Sequence, residues 1–315
     1  MNLLRIIFMG TPELAGTSLR ALIAAREFQI VGAVTQPDQP KGRGLHLQPS
    51  PVKQIAERAN LPVLQPQRAR DESFLEQLRA LQPDLIAVAA YGQILPKDIL
   101  DLPRFGCVNV HTSLLPKYRG AAPIQHTLLN GEAETGVTIM KMDAGLDTGD
   151  ILAQQKTVIH ASDNSQTLHD RLAEMGAALL VRTIPDFISG KIQPRAQPTE
   201  GVIYAPKIKK QDGQVDWAKP ARIIWNRVRA MVPWPGAFTH LAEESGSHLL
   251  KIREAEVVDG AGEAGAVLHA DKKEIVVACG SEALRLLVVQ REGGRPMKAA
   301  EFLAGHPLKE GQKFR

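Results

Sequence analysis

Strand and helix signals alternate from the start of the chain to about residue 190, and this alternation limits the possible folds more than any other feature. Residues 6–9 form a short apolar run that reads as a buried strand, followed by a Thr11-Pro12 turn and an amphipathic helix over 13–26. A second strand is expected over 30–35. Helical patterns over 52–59 and 71–80 bracket a short strand at 63–64, and a strand over 85–89, a helical turn near 94–100 and a strand over 108–111 come next. A short helix over 124–130 precedes strands over 136–142 and 151–159, which flank a glycine-containing turn. A long helix over 165–188, with Ser165 as its expected cap, ends the region. This order predicts an α/β fold with a mostly parallel sheet covered by helices. The first turn, Met9-Gly10-Thr11-Pro12-Glu13, lacks GxGxxG, so a dehydrogenase-type dinucleotide site is unsupported and Gly10 is expected to serve a tight strand-to-helix turn.

The character changes over 190–210, where Pro194, Pro198, Gly201 and Pro206 leave little periodicity and predict an extended linker. Beyond it, a helix is expected over 220–231, a turn at Pro233-Trp234-Pro235-Gly236, and short strands over 238–241, 249–258, 266–270, 274–278 and 284–290, as in a small β-barrel or sandwich. A chain of 315 residues can hold two such cores, with an expected division into 1–189, a linker over 190–208, and 209–315. The net charge of +4 is uneven. Residues 1–205 carry 20 Lys/Arg and 20 Asp/Glu, whereas 206–315 carry 18 and 14, so the whole excess lies in the C-terminal third. That hints at a polyanionic partner, although a solvated lysine-rich surface is the better account of charge taken alone. Cys107 and Cys279 form neither a disulfide framework nor a CxxC site, which suits a reducing cytoplasm. The apolar run at the start is too short for a signal peptide and no run has membrane length, so a soluble protein is expected.

Chemistry concentrates where Asn109-Val110-His111 ends a strand. Residues two apart on a strand share a face, which sets a carboxamide beside an imidazole about 7 Å apart at Cα. Asp147 follows on the turn Gly145-Leu146-Asp147-Thr148-Gly149-Asp150, as a carboxylate able to orient the imidazole. A donor for an oxyanion, a base and a carboxylate partner suit acyl transfer, with no metal required. Each residue alone is commonplace: histidines are often satisfied at strand ends, and Asp beside Gly is ordinary turn chemistry. Their combination beyond the carboxyl end of a predicted parallel strand is not, because open α/β sheets bind ligands there.

Residues 6–12, the run Asn109 to Gln125, Gly136-Val137-Thr138-Ile139-Met140, the turn 145–150, Pro206-Lys207-Ile208 and residues 232–237 closely resemble the methionyl-tRNA formyltransferase family over nearly the whole chain. The Asn, His and Asp elements alone would point only to the wider group of formyltetrahydrofolate-dependent transferases. The resemblance implies a Rossmann-like formyltransferase domain that binds 10-formyltetrahydrofolate and a C-terminal OB-like barrel that helps hold tRNA. The implied activity is formyl transfer to the α-amino group of methionyl initiator tRNA, which yields formylmethionyl-tRNA for translation initiation. It further implies that Asn109, His111 and Asp147 are catalytic and that Ser113, Leu114, Leu115 and Pro116 contact the folate, with Tyr91 and Gly92 lining the same pocket.

The polar segment Gln36-Pro37-Asp38-Gln39-Pro40-Lys41-Gly42-Arg43-Gly44-Leu45 would by itself read as an exposed connection. It is similar to the loop by which the family engages the tRNA acceptor end, which makes Arg43, supported by Lys41, the expected contact. Lys207, Lys209 and Lys210, and Arg222, Arg227 and Arg229 on the predicted helix, could follow a phosphate backbone. Trp217, Trp225 and Trp234 are expected in the core rather than as base-stacking platforms. The chain is expected to act as a monomer with no membrane partner. Two other readings are a formyltransferase acting on an amino-sugar or glycinamide nucleotide, which needs neither the Gly-Arg-Gly loop nor the basic second domain, and a noncatalytic RNA-binding protein, which the complete Asn-His-Asp set disfavours.

Overall fold

The computed structural model describes residues 3–41, 46–243, 246–271 and 273–315. They form two compact units: Met1–Pro123 with Glu134–Val158 and His169–Ala205, and Ile124–Ala133 with Ile159–Leu168 and Pro206–Arg315.

The first unit is built on a seven-stranded sheet. Leu4–Gly10 lies inside it and pairs in parallel with Phe28–Val34 on one side and Leu85–Ala89 on the other. Val63–Leu64 extends the sheet in parallel beyond Phe28–Val34, and Cys107–His111 beyond Leu85–Ala89. Glu134–Lys141 and Ile151–Val158 then add antiparallel at the latter edge. The sheet is therefore mostly parallel, and its chain order reverses direction beside Leu4–Gly10. Continuous apolar strands such as Ile6-Ile7-Phe8-Met9 are fully buried, as a sheet covered on both faces requires. Gly10 is needed for close approach, since a Cβ there would stand 2.5 Å from Ala15 Cβ and 2.7 Å from Ala89 O.

Several local expectations change. The helix Ser165–Ile188 is present, but its cap is Asn164, whose Oδ1 accepts from the Gln166 and Thr167 amides; Ser165 Oγ instead donates to Val232 O. The segment 190–205 is extended yet not free. Arg195 exchanges backbone hydrogen bonds with Ile151, and Ile203–Ala205 pairs in parallel with Lys117–Gly120. The polar stretch after Phe28–Val34 contains a two-stranded pair, Gln39–Lys41 with His46–Gln48.

The second unit carries the antiparallel sheet Ala237–Glu243, Gly246–Val258, Ala283–Arg291, Ile275–Ala278, Val267–Ala270, with Met297–Lys298 also on Ala283–Arg291. Its two edge strands are joined by the chain's last residues. Phe314 bridges Leu241 on one edge, and Lys313 bridges Ala266 beside the other, which closes the sheet towards a barrel. The core holds Trp217, Ile224, Val228, Ile252, Leu284 and Phe302, among others. Trp217 Nε1 donates to Thr239 Oγ1 (2.9 Å), and that hydroxyl donates to Arg315 O, so the buried indole is satisfied. Trp225 is half-buried under the guanidiniums of Arg229 and Arg222, 3.7 Å and 4.9 Å from its ring centroid. Trp234 departs from expectation: it is 56% exposed, because prolines on both sides hold it out on a turn. No described helix is long and apolar enough to cross a membrane.

Candidate active site

A cavity of about 500 Å³ opens beyond the carboxyl ends of the parallel strands, next to the point where the strand order reverses. This is where open α/β sheets take ligands. Its walls come from Ala90–Leu95 after one strand, Asn109–Thr112 at the end of the next, and the turn 143–147.

Asn109, His111 and Asp147 all line it. Asn109 is held in register between Val88 and Met140, and its carboxamide makes no hydrogen bond to another described residue. His111 is buried, and its Nε2 lies 2.9 Å from Tyr118 O. A carbonyl can only accept, so the neutral ring carries its proton on Nε2 and keeps the Nδ1 lone pair free. Nδ1 faces Asp147 Oδ1 at 3.7 Å, while Asp147 Oδ2 accepts from the Gly120 amide at 2.8 Å. The base, if His111 serves as one, is therefore Nδ1, with a carboxylate beside it to stabilise the charge it gains.

Supporting groups invisible to motif reading fix this arrangement. Asp147 adopts φ 52°, a left-handed conformation uncommon for a side-chain-bearing residue. Gln197 holds the turn: its Nε2 donates to Asp147 O and Gly149 O, both at 2.8 Å, while its Oε1 accepts from Arg119. A Cβ on Gly149 would lie 1.8 Å from Lys141 O. Gly149→Ala is accordingly expected to destabilise the protein by roughly 1–3 kcal/mol, read as a lower denaturant midpoint, because the clash is with backbone. An unchanged midpoint would show that the turn can shift freely.

Ser113, Leu114, Leu115 and Pro116 do not line the cavity, and the polar groups of Ser113 and Leu115 are used within the fold. Ser113 Oγ donates to Lys117 O and accepts from the Tyr118 amide, and Ser113 O accepts from Thr138 Oγ1. Leu115 N donates to Thr138 Oγ1, and Leu115 O accepts from Gln154. The segment shapes the turn that brings Tyr118 O to His111, so its place is behind the imidazole.

Tyr91 and Gly92 do line the cavity. Gly92 has φ +87°, and a Cβ would come 2.4 Å from Gln36 Nε2, which donates to Tyr91 O. The buried Tyr91 hydroxyl has no hydrogen-bond partner among the described residues, and burial pushes its pKa up to about 12. The phenol is neutral in both folded and unfolded chains below its ordinary pKa near 10; as pH rises from there toward 12 only the unfolded chain ionises, so stability falls across that window. Tyr91→Phe is thus expected to leave neutral-pH stability equal or slightly higher, since an unsatisfied hydroxyl is removed, and to lose less between pH 10 and 12. Denaturant melts at pH 7 and across that window check this; a marked loss at pH 7 would reveal a partner for the hydroxyl.

Of the expected tRNA contacts, Lys41 ends the strand Gln39–Lys41, while Arg43 lies outside the described residues. The base of that segment is anchored: Asp38 accepts from Lys53 (2.7 Å) and Gln65 (2.8 Å), hydrogen bonds that hold its carboxyl below the usual carboxylate range. Lys207, Lys209 and Lys210 are exposed around a buried Ile208. Arg229 is committed to the carbonyls of His160 and Asp163, and Arg227 to that of Asp212, so neither is a free phosphate ligand; Arg222 is exposed. Among the described residues, no group of three or more His, Cys, Asp or Glu is placed to hold a metal ion.

Residues 4–184 match the model of the formyl transferase family, and residues 207–307 that of the formyl transferase C-terminal domain. The chain is 48% identical to a methionyl-tRNA formyltransferase of Citrifermentans bemidjiense over 99% of its own length and 96% of the relative's. It is 50% identical to one of Trichlorobacter lovleyi, over 98% and 96%. Solved structures share the fold at much lower identity. An N-formyltransferase from Helicobacter canadensis, in complex with folinic acid and dTDP-3-aminofucose, superposes with a TM-score of 0.67 at 18% identity, over 90% of this chain and 98% of that one. HypX from Aquifex aeolicus in complex with tetrahydrofolic acid gives 0.62 at 17%, over 98% of this chain and 49% of that one. Full-length identity of this order, together with both family models, shows that the chain belongs to the methionyl-tRNA formyltransferase family.

Proposed function

We propose that the protein transfers the formyl group of 10-formyltetrahydrofolate to the α-amino group of methionyl initiator tRNA, and that Asn109, His111 and Asp147 carry the reaction. The observation that most supports these roles is their convergence on one cavity, with a free carboxamide, an imidazole of fixed tautomer and a paired carboxylate. The cavity suits a folate: it is large enough for a flat heterocycle and has apolar walls at Val88, Leu95 and Met140.

The folate supplies a formyl group on N10 and takes up a proton there as that C–N bond breaks. The attacking α-amine must be neutral, and a new C–N bond forms as it loses a proton. His111 Nδ1 accepts that proton, and Asp147 stabilises the imidazolium. Asn109 donates to the formyl oxygen as negative charge builds on it. Tyr91 and Gly92 shape the cofactor pocket, while Ser113, Leu114, Leu115 and Pro116 act from behind by placing Tyr118 O. Residues 209–315 hold the tRNA, with Lys41 and Arg43 at the acceptor end and Lys207, Lys209 and Lys210 along the backbone. Both units lie on one chain, so a monomer suffices, and two free buried cysteines suit the cytoplasm.

The test is transfer of label from 10-formyltetrahydrofolate to methionyl initiator tRNA, with uncharged tRNA, free methionine and an amino-sugar nucleotide as controls. Label on the charged tRNA alone is expected. Label on the sugar nucleotide instead, or on none of the acceptors, would overturn the assignment.

A further inference from the structure

We infer that Trp234, flanked by Lys251 and Arg253, is a platform on which an unpaired base of the bound tRNA stacks. The three tryptophans of the second unit have different surroundings. Trp217 is buried and hydrogen-bonded, and Trp225 is covered by two guanidiniums. Trp234 is exposed and has no ring contact among the described residues. Its indole is thus open to a planar partner, with an apolar face and an N–H at its edge.

The surrounding turn is firm. Pro233 and Pro235 fix φ on either side, the Gly236 amide donates to Met231 O at 2.8 Å, and Gly236 occupies φ +82°. Lys251 and Arg253 lie two apart on Gly246–Val258, and both reach the turn. Lys251 Nζ donates to Pro235 O (3.1 Å) and Arg253 Nη1 to Pro233 O (3.3 Å). Each uses one donor there and keeps others free, and neither is paired with a carboxylate among the described residues. An exposed indole on a turn whose flanking carbonyls are held by two cations without carboxylate partners matches a nucleotide: a ring to stack and phosphates to neutralise. Residues 206–315, to which this turn belongs, carry 18 Lys/Arg against 14 Asp/Glu, which favours a polyanion over an apolar protein partner.

The inference rests on the tRNA reading above, and the experiment separates the two. Affinity for methionyl initiator tRNA, and KM for that tRNA and for the folate, are measured for the wild type and for Trp234→Ala, Trp234→Leu and Trp234→Phe. Loss of stacking should weaken tRNA binding and raise its KM about tenfold in the Ala and Leu variants, with the Phe variant near wild type and the folate KM unmoved. Lys251→Gln and Arg253→Gln should each reduce the slope of log affinity against log salt by about one. The Leu variant keeps an apolar side chain without a ring, so a loss shared by Ala and Leu but not Phe reports the aromatic face and not the fold. Wild-type affinity in the Ala and Leu variants, or equal losses in Phe and Ala, would overturn the platform alone. A wild type that neither binds nor formylates tRNA would remove the tRNA reading and the platform with it.

Discussion

Asn109→Ala is expected to lower kcat by on the order of a hundredfold or more, with the fold and folate affinity largely kept. The expectation comes from what the carboxamide does not do. It ends a buried strand between Val88 and Met140 but makes no hydrogen bond to another described residue, so its removal leaves no protein group unsatisfied. Its free N–H faces the cavity that holds His111 and Asp147. A donor fixed there before the reaction acts only as charge develops on the formyl oxygen, which is why the loss should appear in kcat rather than in KM. Asn109→Asp should be at least as damaging, because an acceptor-only carboxylate would face the developing negative charge. Single-turnover rates with saturating folate and charged tRNA make the comparison; a normal rate in the Ala variant would remove Asn109 from the chemistry.

How much of this was legible in the sequence depended on whether the information is local. Strand and helix alternation follows from apolar periodicity, so the parallel sheet and the placement of Asn109 and His111 at a strand's carboxyl end could be read directly. Caps are less secure where two candidates adjoin. Asn164 and Ser165 both suit an N-cap, and only the structure shows that Asn164 takes the amides while Ser165 turns to Val232. Ser113, Leu114, Leu115 and Pro116 follow the strand of Asn109 and His111 so closely that a pocket role is a natural expectation. Yet their hydrogen bonds run to Lys117, Thr138 and Gln154, partners that no spacing rule reveals. The closure of the second sheet by Lys313 and Phe314 rests on two isolated bridges with no periodic signature. Trp234 differs for another reason: neighbouring apolar residues suggest burial, but prolines on both sides direct the indole outward.

Asp147→Asn is expected to reduce kcat on the order of a thousandfold, and to do so more severely than Asp147→Ala. The geometry forces this order. The Gly120 amide donates to Oδ2, so an asparagine must place its carbonyl oxygen there and turn its NH₂ toward His111 Nδ1. Nε2 already donates to Tyr118 O, which leaves Nδ1 as the ring's one lone pair. An NH₂ donated to that lone pair would block the base, whereas alanine would remove charge stabilisation but leave Nδ1 free. The backbone gives the opposite order for stability. Asp147 sits at φ 52°, a region that asparagine tolerates and alanine does not, so the Asn variant should melt nearer to wild type. An enzyme that is the more stable of the two variants and also the less active cannot be explained by misfolding. If the Asn variant were instead the more active, the proton would have to leave by a route other than Nδ1.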